Sequence, residues 1–400
     1  MAAMEKHMKT NLKIESLRRG PRSVLALLLV AAVPACAAAP AEEPMVEDPA
    51  DESVDASEEA LRSGDAAGWA FYNGSGLVPV RSFNSSGGAT RVVSSGVGVY
   101  TATFDGLSGS GGNVQVNAAG GDGQRCKVAS WGTAGAALQV NIRCHTAAGQ
   151  AANSPFIVSY ARFAGGTAVS SDGAYVWVDR PSTDVFTPSP TYQWGAPSTV
   201  NRTRTGRYIV TLAGQASDGG SMLVTAYGTG AEYCKTAEWQ RVGTDTDVEV
   251  RCFGPGGAPA DSRFSLRYIR DVRDAATESG GFVWAHDPTA ASYTPSLTFQ
   301  HHRITSECND ITEVLTAQRL STGRYLIKYP EMGSGTAVPS GAALATAYGT
   351  GPEYCNVTGW STPASDPDLL DVGVRCFNAS GSLVDTQFTQ TYFANLFHAC

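Results

Sequence analysis

Cysteine and histidine are the residues in this chain whose spacing could do chemistry. The 400 residues hold nine cysteines and six histidines. Six of the cysteines come as three similarly spaced pairs: Cys126 and Cys144, Cys234 and Cys252, Cys355 and Cys376. Each pair is too poor in ligands for zinc, since no histidine recurs beside it to complete four. An even number of cysteines behind an export signal instead reads as disulfides, paired within each unit. Cys308 and Cys400 lie outside this pattern, as do His301, His302 and His398. They could join as a fourth disulfide, or Cys and His could assemble a metal site. In an extended segment adjacent histidines point to opposite faces, so only one of His301 and His302 could serve as a ligand.

Other candidates carry less. Asp245 with Asp247, and Asp366 with Asp368, place paired carboxylates in a turn, as calcium sites do, but the first unit has no counterpart. A pair of turn aspartates is usually a solvated turn. His145 and His286 each occur in one unit alone. No nucleophile, base and orienting group recur together, and no phosphate-cradling glycine loop precedes a helix. The expectation is therefore no catalytic residue and no cofactor.

The elements that position these residues are repeated three times, and a repeat decides the architecture. Gly98-Val99-Tyr100, Gly206-Arg207-Tyr208 and Gly323-Arg324-Tyr325 open equivalent tracts. Val116 to Gly120, Val224 to Gly228 and Ala345 to Gly349 follow. Next come Cys126, Cys234 and Cys355, each five residues before Trp131, Trp239 or Trp360. Phe156 to Tyr160, Phe264 to Tyr268 and Phe388 to Tyr392 close the copies. Trp69, Trp177 and Trp284 read as equivalent opening residues. Trp131, Trp239 and Trp360 are candidates for stacking on a sugar or polymer, or for core beneath the disulfides.

Val248 to Cys252 and Phe264 to Tyr268 alternate with period two, the signature of strands with one buried face. Six or seven strands per copy, separated by Gly/Ser/Asp turns, make an all-β chain of three sandwich-like or small-barrel domains. The boundaries fall at 67–164, 174–272 and 281–400, the last copy carrying an insertion. Each copy is long enough to bury its own core, so beads on a string are expected.

The ordered set Trp, TPS, Gly-x-Tyr, TAYG, Cys-x4-Trp and Val-x-Val-x-Cys-Phe resembles a tandem repeat of secreted bacterial proteins of unassigned function. The resemblance covers nearly everything from Trp69 onward. It implies export and β architecture, and no activity.

Residues 1–36 read as a signal peptide. Lys6, Lys9, Lys13, Arg18, Arg19 and Arg22 precede the short apolar run Val24 to Val33, which is too short to span a bilayer. Val33-Pro34-Ala35-Cys36 resembles a bacterial lipobox, departing at Pro34. A lipidated Cys36 would hold the protein at a membrane surface without spanning it; cleavage nearby, without lipid, is the alternative. Residues 37–66 carry ten acidic residues against Arg62 alone and read as a disordered tether. Leader and tether hold most of the net charge of −8, so the remainder is near neutral. That excludes the basic footprint of a nucleic-acid binder. The expected role is non-enzymatic binding or adhesion to a surface glycan, wall polymer or protein outside the cytoplasm. The membrane would be met only through the lipid anchor. A hydrolase or metal-binding protein with its site in the third copy is the alternative.

Overall fold

The computed structural model describes residues 64–270, 279–303, 313–334 and 339–394. The leader, Cys36, nearly all of the tether, Cys308, His398 and Cys400 lie outside the described residues. The described residues all belong to one compact unit.

The chain is all-β, and its described strands fall into three consecutive sets, each a sandwich of two antiparallel sheets. In the first, one sheet orders Phe83–Asn84, Ala66–Tyr72, Phe156–Arg162 and Asn113–Ala118. The facing sheet orders Thr90–Gly96, Val99–Asp105, Ala137–His145 and Arg125–Ala134. The second and third sets repeat this order with one more edge strand in the facing sheet, Val185–Phe186 and Ser292–Tyr293, and the first set's facing sheet runs on into a sheet of the second through a parallel Tyr227–Val128 pair. Alternation decides which side chains are buried: Tyr208, Val210 and Leu212 are buried, while Arg207, Ile209 and Thr211 are half-buried. Two stacked sheets resolve the choice between sandwich and barrel.

The recurrent Gly-x-Tyr is a turn device. Gly98, Gly206 and Gly323 have φ of 68°, 66° and 64°, and a Cβ on Gly206 would stand 2.4 Å from the Cys252 carbonyl oxygen. Only glycine takes that conformation in that space. Two residues on, the Tyr208 and Tyr325 hydroxyls each donate at 2.9 Å to Asp261 and Asp385. The same carboxylates accept the backbone N–H of Gly206 and Gly323 at 2.8 Å and a two-point pair from Arg202 or Arg319. Asn153 takes this place in the first copy. Asp261 and Asp385 are held below the usual carboxylate range. For Asp261, burial acts the other way but is outweighed by Arg202 and the Gly206 amide; for Asp385, Arg319 is the main cause.

Strand pairing corrects the alignment of the first copy. Trp177 lies opposite Ser265 and Trp284 opposite Thr389, each one position after the phenylalanine that opens the closing strand. The residue so placed in the first copy is Phe71, opposite Ile157. Trp69 is instead equivalent to Tyr175 and Phe282.

The beads-on-a-string expectation fails. The third copy's core includes Trp69, Ala119 and Ile157 of the first and Leu223 and Ile269 of the second. Three parallel bridges, one per junction, join the copies in a ring: Tyr227 with Val128, Tyr348 with Thr236, and Ala119 with Val357. The last closes the third copy onto the first.

Candidate functional site

The strands Asn113–Ala118, Ser221–Tyr227 and Ala342–Ala347 meet at the centre of this ring. They are buried almost throughout, because one face packs on its own sandwich and the other on the neighbouring copies. Val116 and Ala118 belong to the first copy's own core, and Val224 and Ala226 to the second's. The polar position in each strand bonds across a junction. Thr225 accepts from the Val116 N–H at 3.1 Å. Thr346 accepts from the Val224 N–H at 3.2 Å. Asn117 donates to the Ala345 and Cys355 carbonyls at 3.1 Å each and accepts from the Val357 N–H at 2.9 Å. Equivalent residues thus make equivalent contacts around a quasi-threefold axis.

The recurrent tryptophans fasten the same junctions from further out. Trp131 meets Trp177, Tyr192 and Tyr227 of the second copy, with ring centroids 5.5, 5.8 and 5.4 Å away. Trp239 meets Trp284, Phe299 and Tyr348 of the third at 5.6, 5.8 and 5.2 Å. Trp360 meets Phe71 of the first at 5.4 Å, and Arg81 stacks on it at 4.4 Å. Ala119 stands where Tyr227 and Tyr348 stand elsewhere. Trp239 and Trp360 are only 8% and 3% exposed. Trp131 is half-buried, and aromatic rings of the next copy pack against all three, so junction packing accounts for the recurrence of these tryptophans.

A cavity of about 60 Å³ lies where the central strands converge. Its wall is threefold in kind: Val116, Val224 and Ala345; Cys126, Cys234 and Cys355; Lys127, Lys235 and Asn356; Arg125, Tyr233 and Tyr354. The last trio packs as a plug. Tyr233 and Tyr354 meet edge to face at 5.6 Å, and the Arg125 guanidinium lies 4.1 and 5.0 Å from their ring centroids. Tyr233 donates to the Pro352 carbonyl of the next copy at 2.7 Å, and Tyr354 to that of Gly123 at 2.5 Å.

The cavity wall is unusually cationic for an interior. Lys127 and Lys235 are 4% and 1% exposed and reach Glu232 and Glu353 of the following copy, each at 3.2 Å. Asn356 replaces the third lysine and donates to the Gln124 carbonyl at 2.8 Å. Burial lowers Lys127 and brings Lys235 down to about 8, against the pull of its glutamate. Glu232 ends below its ordinary value: burial raises it, but its own backbone N–H and Lys127 outweigh that. His145, where the other copies have Phe253 and Phe377, is lowered by burial and then by Lys127 and Arg125. It lines the cavity.

The six paired cysteines form three disulfides, Cys126–Cys144, Cys234–Cys252 and Cys355–Cys376, each between directly opposed residues of adjacent strands. Their first members line the axial cavity. The third-copy histidines separate, as adjacent strand residues must. His301 lies opposite Phe282, 5.9 Å from its ring, at the position filled by Phe83 and Trp194 in the other copies. It fills an aromatic stacking position. His302 lies opposite Gly281 and near Tyr329, and burial brings it down to about 4. Asp247 accepts from Thr211, and Asp245 from the Gly214 N–H, as turn and strand carboxylates do. Among the described residues no group of three or more His, Cys, Asp or Glu is placed to hold a metal. No described helix is long and apolar enough to cross a membrane.

Sequence reasoning missed the axial site because its residues are scattered over three copies. One signal was present: Arg125 interrupts the Tyr-Cys of Tyr233-Cys234 and Tyr354-Cys355. No protein family, curated protein or solved structure matches the chain.

Proposed function

We propose that the chain is an exported, non-enzymatic surface protein that binds or adheres to a glycan, wall polymer or protein. Three disulfides fit an oxidising, extracytoplasmic compartment. Cys36 supplies a lipid anchor, and the acidic segment spaces the folded body from the membrane.

The observation that carries this reading is the cyclic closure of the three copies through Ala119 and Val357. Cyclic arrangement turns equivalent loops of all three copies to one side of the body. Three similar surfaces at fixed spacing suit a repetitive ligand. Weak contacts at each would combine by avidity without any linker entropy to overcome.

Two measurements test the proposal. Intact protein incubated with isolated cell-wall fractions and a glycan array should be retained on a polymeric ligand and released by its soluble fragments. Absence of retention on every wall, glycan and surface-protein fraction would overturn the binding role. Cys36→Ser should move the protein from the membrane fraction to the soluble one; an unchanged distribution would overturn the anchor.

A further inference from the structure

The first copy leaves open a sheet edge that the other two cover. After the opening strand, the second and third copies send a short strand to the facing sheet: Val185–Phe186 pairs with Ser198–Arg204, and Ser292–Tyr293 with Thr316–Ser321. The first copy is five residues shorter here, taken from Phe71 to Phe83 against Trp177 to Trp194 and Trp284 to His301. Its chain turns back at once, with Tyr72 bridged to Leu77. Among the described residues nothing pairs with the outer side of Thr90–Gly96.

The residues along this edge change in the same sense. Val92, Val200 and Ala317 are equivalent, opposite Ala102, Val210 and Ile327. Phe186 lies opposite Val200 and Tyr293 opposite Ala317. Val200 and Ala317 are buried, whereas Val92 is only half-buried. At the next position, Asn201 and Gln318 give way to Val93, which is 60% exposed. Then Arg202 and Arg319 donate their backbone N–H to the covering strand, at the Asp184 and Ala291 carbonyls, at 2.6 and 3.0 Å. Their equivalent, Ser94, has no such carbonyl before it among the described residues. The register shift that follows occurs in all three copies, so it is no special guard of this one. Arg91, the one charge on the strand, is drawn to Asp105 of the adjacent strand at 2.6 Å. An uncovered edge of this kind is a template for a strand from another chain.

We propose that Thr90–Gly96 receives an extended segment of another polypeptide as an antiparallel strand, with an aromatic residue opposite Val92 and an apolar, β-branched one opposite Val93. The covering strands of the sister copies carry this choice, because each sets an aromatic residue at the first of these positions. Val93 adds the second, as the apolar counterpart of Asn201, which Val185 faces. Backbone hydrogen bonds would supply affinity, and the two alternating side chains selection. The site exists once, on the first copy, and its occupation is independent of the threefold surface assigned to adhesion.

The test titrates the intact, isotope-labelled protein with the synthetic peptide Ser-Thr-Asp-Val-Phe-Thr-Pro, the sequence of residues 182–188, and follows amide shifts by NMR. Saturable shifts centred on Thr90–Gly96 are expected, and alanine in place of the peptide's phenylalanine should weaken binding at least fivefold. Ser94→Pro removes the outward N–H, a change that an edge strand tolerates; it should leave the melting temperature unchanged and weaken binding at least tenfold. A second variant, with residues 179–189 grafted in place of 73–78, supplies the missing cover and should abolish binding. No saturable shift, shifts centred on the second or third copy, or variants that bind as the parent protein does would each overturn the proposal. So would a dimer in sedimentation that the graft dissolves, since a second copy would then hold the edge.

Discussion

Asn117 in the first copy donates from Nδ2 to the Ala345 carbonyl of the third at 3.1 Å, across a sequence separation of 228. The same side chain holds Cys355 and Val357. This contact closes the ring. Asn117→Ala removes three hydrogen bonds and strands the buried Val357 N–H, which should cost about 2–4 kcal/mol. Because the third copy's core takes in residues of the first two, the loss should lower one cooperative unfolding transition for the whole folded body. Scanning calorimetry distinguishes the outcomes. Independent copies would give several transitions, of which only some would move.

Trp239 probes the second junction. Its ring fills a pocket made by Trp284, Phe299 and Tyr348. Trp239→Ala should destabilise by about 3–5 kcal/mol, the usual cost of truncating a buried large aromatic. Denaturant melts measure it. A loss below about 1 kcal/mol would mean the ring face is not packed, and would reopen its use as a ligand platform.

Much of each copy could be read from the sequence, and the reason is local. Strand alternation at Val248 to Cys252 and the Cys spacing depend on neighbours within one copy. The tryptophans were ambiguous because their partners lie in the next copy. Ala119 in place of Tyr227 and Tyr348 was a trace of that partnership, legible only once Trp360 is seen against Phe71 and Arg81. The opening-residue alignment slipped by two because Trp69 and Trp177 match in residue type and nearly in period. Register is set instead by pairing with the closing strand, where Phe71 faces Ile157. The ring itself was hidden because Asn117, Thr225 and Thr346 look like ordinary outward polar positions. Only closure makes them inward.

Gly206 and Gly243 separate conformational strain from crowding. Both have positive φ, 66° and 63°. A Cβ on Gly243 meets nothing within 4 Å, whereas one on Gly206 would collide with the Cys252 oxygen at 2.4 Å. Gly243→Ala should cost about 1–2 kcal/mol, the penalty of a left-handed alanine. Gly206→Ala should cost more, because the strand pair or the Asp261 network must also shift. Urea denaturation of the two variants gives the comparison, and equal losses would remove crowding from the account of the Gly-x-Tyr motif.

Lys235 makes stability depend on pH in a defined direction. Burial brings its folded pKa to about 8, from 10.5. Between these values the unfolded chain holds a proton that the folded one has released. Stability from this group therefore rises as pH increases through that window. Above about pH 10 the buried tyrosines oppose it. Tyr233, Tyr348 and Tyr354 are raised to about 12 by burial, so the unfolded chain loses their protons first and stability falls. Chemical denaturation across pH 7.5 to 9.5 should show a positive slope that Lys235→Met reduces, while leaving the decline above pH 10 in place. A slope unchanged by the substitution would mean that Lys235 keeps its ordinary pKa at the junction, with Glu353 at 3.2 Å compensating its burial in full.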